Sequence, residues 1–228
     1  MNEFLSGSLF FGAAVSIAAY MIGILIRKKA KAANPLLTAI VLVIIALKAF
    51  HIDYETYNSG AKYLSYLLTP ATVALAIPLY RQINVLKSHA KEIFAGIFAG
   101  VMASMGSILL MSYLFSLTHE QYVTLLPKSI TTAIGMGISE ELGGIQTITI
   151  AVIVVTGVLG NITAEWILKL FKIKEPVAKG LAIGTASHAI GTTKAMEIGE
   201  VEGAMSSLSI AVAGLMTVAA ASVFAQLL

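Results

Sequence analysis

Long apolar runs, separated by short polar or basic stretches, set the pattern of this chain. Leu5 to Ile26 is long enough to cross a bilayer, which takes about 20 residues, and ends in Arg27, Lys28, Lys29 and Lys31. A second run follows Asn34-Pro35 and reaches Phe50, and Asp53 to Lys62 is polar. Tyr63 to Tyr80 is apolar, but Thr69-Pro70 and Pro78 interrupt it, which predicts a broken helix. After the basic loop Arg81 to Lys91, Ile93 to Phe115 reads as a span with Gly96 and Gly100 at close-packing spacing. Pro127 to Leu142 is short and glycine-rich, and Ile145 to Phe171 reads as another span, with Gly157, Gly160, Asn161 and Glu165 inside it. Beyond the basic stretch Lys172 to Lys179, Gly180 to Gly199 is weakly apolar, and Ala204 to Leu228 is the last span.

These elements predict an all-α, polytopic transmembrane bundle of about seven or eight spans with internal repeats and broken or re-entrant helices. One membrane domain covers residues 1–228, divided into a first span and basic loop (1–33), a first repeat region (34–122) and a second (123–228). The basic loops at 27–31, 81–91 and 169–179 should all lie on the cytoplasmic side. They do so if 127–142 enters and leaves on one face. Eight plain spans with one rule-breaking loop is the alternative.

Composition agrees. Of 228 residues, 57% are hydrophobic and 12% charged, about half the charge density of soluble domains, and the mean hydropathy is +0.87. A net charge of +3 forms no basic stripe, so nucleic acid is not an expected partner. The absence of cysteine removes disulfides, thiolate chemistry and Cys-ligated zinc. The four histidines show no metal-helix spacing, and neither a metal nor a cofactor is expected. Enzyme motifs such as HExxH, GxSxG or a P-loop are missing, so no enzyme is predicted. The start lacks the basic region of a signal peptide, which predicts a retained first span in the cytoplasmic (inner) membrane.

Self-similarity points to a site. Residues 72–78, 129–135 and 185–191 share Ser/Thr, three residues, Ala-Ile, then Pro or Gly, with the Ala positions at 76, 133 and 189. Irregular backbone survives in hydrocarbon only where it lines a polar cavity, and corresponding interrupted segments mark transporter binding sites. A half-helix N-terminus there offers free N–H groups to an anion. The expected substrate contacts are Thr69, Thr72, Ser129, Thr131, Thr132, Ser187, His188, Thr192, Thr193 and Lys194. Lys194 supplies positive charge, or else forms an i,i+3 ion pair with Glu197. His188 or Glu141 carries a coupling proton, although Glu140-Glu141 also suit an aqueous face. Lys128 suits an outer mouth or the headgroups.

Three stretches carry a family resemblance: LLTPATVALAIPLYRQ (67–82), LLPKSITTAIGMGISEELGG (125–144) and GTASHAIGTTKAMEIGEVEGAMSSLSIAVAGLMT (184–217). From about Asn34 onward the chain resembles the LrgB/CidB family of antiholin-like membrane proteins and plastidial glycolate/glycerate translocators. The resemblance implies one of two roles. One is transport of small monocarboxylates such as glycolate, glycerate and pyruvate. The other is regulation of murein hydrolase activity and lysis with a small holin-like (LrgA/CidA-type) partner. The repeated breaks favour transport, and a homodimer is left open.

Overall fold

The computed structural model describes residues 8, 10–30, 34–67, 70, 73–74 and 76–228. The described residues are helical, without a strand. The chain divides into two compact units, Met1–Ala74 and Leu75–Leu228.

The first unit holds α1 (Phe11–Lys29), α2 (Pro35–Ala49) and α3 (Tyr54–Ser65). Asn34 starts α2 by accepting from the N–H groups of Leu36 and Leu37 at 2.9 and 3.1 Å, with Pro35 preset for the first turn. Asp53 starts α3 by accepting from Glu55 N at 3.0 Å. That helix lies in the stretch the hydropathy pattern gives only as polar. Gly12 brings α1 against the backbone of Tyr57 and Ala61, and Gly23 brings it against Pro35.

The second unit runs α4 (Ala76–Arg81), α5 (Ile83–Ser88), α6 (Ala90–Leu114), α7 (His119–Leu125), α8 (Thr132–Glu141), α9 (Gln146–Leu170), α10 (Pro176–Ile198) and α11 (Glu200–Ala225). Ile93, Ile97, Val101 and Met105, four apart on α6, are buried in a core with Leu181, Ala204, Met205 and Ala213. Phe94, Phe98 and Leu110 of the same helix are 60%, 51% and 56% exposed, an apolar exterior suited to lipid.

Among the described residues, four helices (α1, α6, α9 and α11) are long and apolar enough to cross a membrane, fewer than the sequence pattern predicts. α2 is apolar but only 15 residues long. α10 has the length, but its run of Gly, Ser, Thr and His dilutes its hydropathy.

Two reversals set the architecture. Thr149 Oγ1 lies 2.9 Å from Thr124 O and 2.7 Å from Ser139 Oγ, which ties the C-terminal turn of α7 to the far half of α8. Nearer the turn, a Cβ on Gly135 would stand 3.5 Å from Pro127 O. α7 and α8 are therefore an antiparallel hairpin with its tip at 126–131.

α10 reverses too. His188 adopts φ 42°, ψ −141° and breaks the helix there. In a straight helix residues 180 and 196 would stand about 24 Å apart, yet Gly180 abuts Glu202 and Met196 abuts Gly203. Thr192 Oγ1 is 2.7 Å from Ser206 Oγ, the residue that Gly184 also packs against. The two halves, 176–187 and 189–198, fold back on each other beside α11.

The hairpins start from opposite ends of the unit. Tyr113, at the end of α6, donates to Leu227 O, and Tyr122 of α7 donates to Phe224 O at 2.8 Å. At the other end, His89 and Glu92 share a cavity wall with Glu175 and Val177, and Lys179 pairs with Glu202 at 3.6 Å. The basic stretches 81–91 and 169–179 thus lie at one end. α6 and α9 each have 25 residues, and their bounds, 90 to 146 and 114 to 170, are offset by 56 at both ends. That offset matches the spacing of Ala133 and Ala189.

Candidate functional site where the hairpin tips meet

A cavity of about 770 Å³ lies along α6 and is lined by Gly100, Ser104, Lys128, Ser129 and Thr185. It brings residues of both hairpin tips to the middle of α6. At its mouth stand His89, Glu92 and Glu175. Pro127 follows the end of α7, and the turn after it tucks Lys128 and Ser129 inward. Lys128 Nζ donates to Ser129 Oγ at 3.0 Å and to Ser104 Oγ at 3.3 Å, and Ser104 donates to Ser129 at 3.0 Å. Among the described residues no carboxylate lies within ion-pair distance of Lys128. Thr131 is the N-cap of α8 but makes no side-chain cap bond, so the first N–H groups of that helix lack an intrahelical or capping partner. The Thr185 hydroxyl is buried without any hydrogen-bond partner.

The second tip is braced by one face of α9. His188 Nε2 lies 3.0 Å from Ile153 O, so Nε2 carries the proton and donates. Its ring rests on Gly157 and Ser187 rests on Gly160, where a Cβ at either glycine would overlap the neighbour. Asn161 Nδ2 donates to Ile190 O at 2.9 Å and to Thr193 Oγ1 at 3.0 Å, taking up backbone and hydroxyl groups beside the break. Thr192 Oγ1 donates to His188 O at 2.9 Å.

The sequence-derived candidates separate accordingly. Ser129 lines the cavity, and Thr131 and Thr132 start the helix beside it. Ser187, His188 and Thr192 are buried in the brace, where their contacts are with protein groups. Thr193 is exposed and bonded to Asn161. Lys194 is held by Glu165 at 2.6 Å and Glu197 at 3.2 Å, which is the ion pair its spacing allowed plus a second carboxylate from α9. Glu141 is exposed at the end of α8. Thr69 and Thr72 lie outside the described residues.

The groups that sequence reasoning left out are Ser104 and Thr185, and Lys128 sits at a hairpin tip. Two signals were available. Ser104 continues the Gly96–Gly100 series at the next i+4 position, and Thr185 opens the third repeat copy.

Comparison with known proteins gives the family. A family model described as the LrgB-like family matches residues 16–227. The chain is 40% identical over 218 residues to proteins named antiholin-like protein LrgB from Bacillus mycoides (strain KBAB4) and Bacillus cereus (strain B4264). Each match covers 94% of this chain and 95% of the relative. No solved structure matches the chain. With the family model spanning nearly the whole sequence, this chain belongs to the LrgB family of membrane proteins.

Proposed function

We propose that this LrgB-family protein is a secondary transporter of small monocarboxylates of the glycolate, glycerate and pyruvate class. One observation carries the reading: two helical hairpins, starting from opposite ends of one unit, bring their tips to one cavity at the middle of α6, mostly apolar in its walls but carrying Lys128, Ser104, Ser129 and Thr185 where the tips meet. In a bilayer, broken backbone is tolerated where it lines such a cavity, and opposed repeats around a midplane site are the architecture of alternating access. In this reading α6 with the first hairpin and α9 with the second form an inverted repeat of 56 residues. The shared offset of their helices supports it. The hairpins count as re-entrant segments, and α2 takes the span number above four.

The positive-inside rule assigns the end with the basic stretches 81–91 and 169–179 to the cytoplasm. The cavity mouth, with His89, Glu92 and Glu175, is then cytoplasmic. At the opposite end Tyr113 and Tyr122 bond the carbonyls of Leu227 and Phe224. Transport would require those bonds to break while the inner mouth closes.

A second reading has its own support. The relatives' names describe antiholin-like proteins, which favours a regulator of murein hydrolase activity and lysis acting with a small holin-like membrane partner. The comparisons bear on this reading more directly than on transport of a particular acid, and the geometry of the hairpins is what favours transport.

Uptake of labelled glycolate into proteoliposomes, with pyruvate and glycerate as competitors, separates the two. The expected result is saturable uptake that both competitors reduce. Uptake no greater than in protein-free liposomes, from correctly folded protein and with or without a pH gradient, would overturn transport in favour of the regulator.

A further inference from the structure

We infer that Lys128, together with Ser129 and Thr185, is the anion-holding group of the hairpin cavity, and that the site takes singly charged anions in preference to dianions. The inference deepens the transport reading and rests on it for the step that follows binding. Four observations converge. Lys128 is half-buried at the first hairpin tip, and among the described residues its ammonium donates to the hydroxyls of Ser104 and Ser129 alone. A cation drawn out of water is normally retained beside a counter-charge, yet no carboxylate of the described residues reaches it.

The second observation is independent of charge. Thr185, 6% exposed on the opposite hairpin, has a hydroxyl with no hydrogen-bond partner. Buried hydroxyls are almost always bonded, so an orphaned one beside a cavity is available to a ligand oxygen that reaches it. Thr185 lines the same cavity as Lys128 and also a small void shared with Ser129. The third is the uncapped start of α8, whose N–H groups favour negative charge at the same tip. The fourth is by contrast: Lys194, the other semi-buried lysine beside a break, is neutralised by Glu165 and Glu197.

Charge counting gives the selectivity. One cation and a ring of neutral hydroxyls balance one negative charge. A second carboxylate on the ligand would find no further cation where the tips meet. A ligand carboxylate held by Lys128 from one hairpin and Thr185 from the other would join the two tips.

The test uses the purified full-length chain, with glycolate binding followed by titration calorimetry and uptake measured in parallel. Wild type should bind glycolate and bind malonate at least about tenfold more weakly. Lys128→Met should weaken glycolate binding about tenfold or more, since a charge-assisted bond is lost. It should also melt no lower than wild type without ligand, because it removes a desolvated charge. Lys128→Arg should stay within a few-fold and Thr185→Val should weaken binding several-fold, while the exposed Lys172→Met should bind as wild type does.

Binding unaffected by Lys128→Met, equal binding of malonate, or no binding by wild type would each overturn the site. If Lys128→Met aggregates, Thr185→Val decides, and wild-type affinity there overturns it. Uptake with binding insensitive to Lys128 rejects the site and spares transport. Lys128-dependent binding without uptake rejects transport and spares the site.

Discussion

Gly160→Val is expected to be the most damaging single change in the second unit, with the folded protein largely lost from detergent extracts. A Cβ at Gly160 would occupy the space of the Ser187 side chain. Both partners are fixed, Gly160 in the middle of α9 and Ser187 at the hairpin break. Overpacking a tight core costs about 1–3 kcal/mol, and more where the backbone has to move. Neither helix can shift freely, because Gly157 seats His188 three residues away. Thermal melting followed by size-exclusion chromatography reads the effect. Adding Ser187→Gly to Gly160→Ala should recover part of the loss, since it removes the atoms in the way. A Gly160→Val protein that melts like wild type would mean that the second hairpin does not pack on α9.

The second large effect is expected at His188. Its φ of 42° with ψ −141° lies in a region that essentially only glycine occupies without strain, at a cost of about 1–3 kcal/mol for other residues. The ring offsets that strain by its bond to Ile153 O and its packing on Gly157. His188→Ala keeps the strain and loses both compensations, so it should destabilise by about 2–4 kcal/mol. His188→Gly loses the ring but relaxes the backbone, and should melt between the alanine variant and wild type. Alanine melting as high as glycine would contradict the strained turn. These substitutions act on the brace of the hairpin and should lower transport together with stability, unlike those at Lys128.

Two of the three stretches that share Ser/Thr, Ala-Ile and Pro/Gly, 129–135 and 185–191, overlap the hairpin turns, because helix breaks in an apolar chain leave a compositional trace. Ser129 and the start of α8 were legible for that reason. The reversal at 188 was harder to read, since the residue that turns the chain is a histidine held by tertiary contacts, while Gly191 lies inside the returning half-helix. Short polar helices were also hidden from hydropathy, although α7 carries a local signature. Thr118 and Gln121 form a capping box, with Gln121 N to Thr118 Oγ1 at 3.3 Å and Thr118 N to Gln121 Oε1 at 3.0 Å.

The lysines were least legible. Lys194 and Lys128 both stand beside a break, and which of them keeps its charge available depends on Glu165, 29 positions from Lys194 in sequence and 2.6 Å away in space. Spacing along one helix revealed Glu197 but not Glu165. Pairing across the bundle decides between a structural cation and one that meets a ligand.

The central claim is that two hairpins reach a common cavity from opposite faces of the membrane, and cysteine labelling tests it most directly. The chain has no cysteine of its own, and Glu120, Glu140, Lys174 and Glu200 are all exposed at hairpin ends. Single cysteines at these four positions would be treated with a membrane-impermeant maleimide in intact and in permeabilised cells. The account predicts that Glu120→Cys and Glu140→Cys label in intact cells, and that Lys174→Cys and Glu200→Cys label only after permeabilisation. Opposite accessibility within either pair would mean that its segment crosses the membrane outright, and would contradict the opposed hairpins on which the site depends.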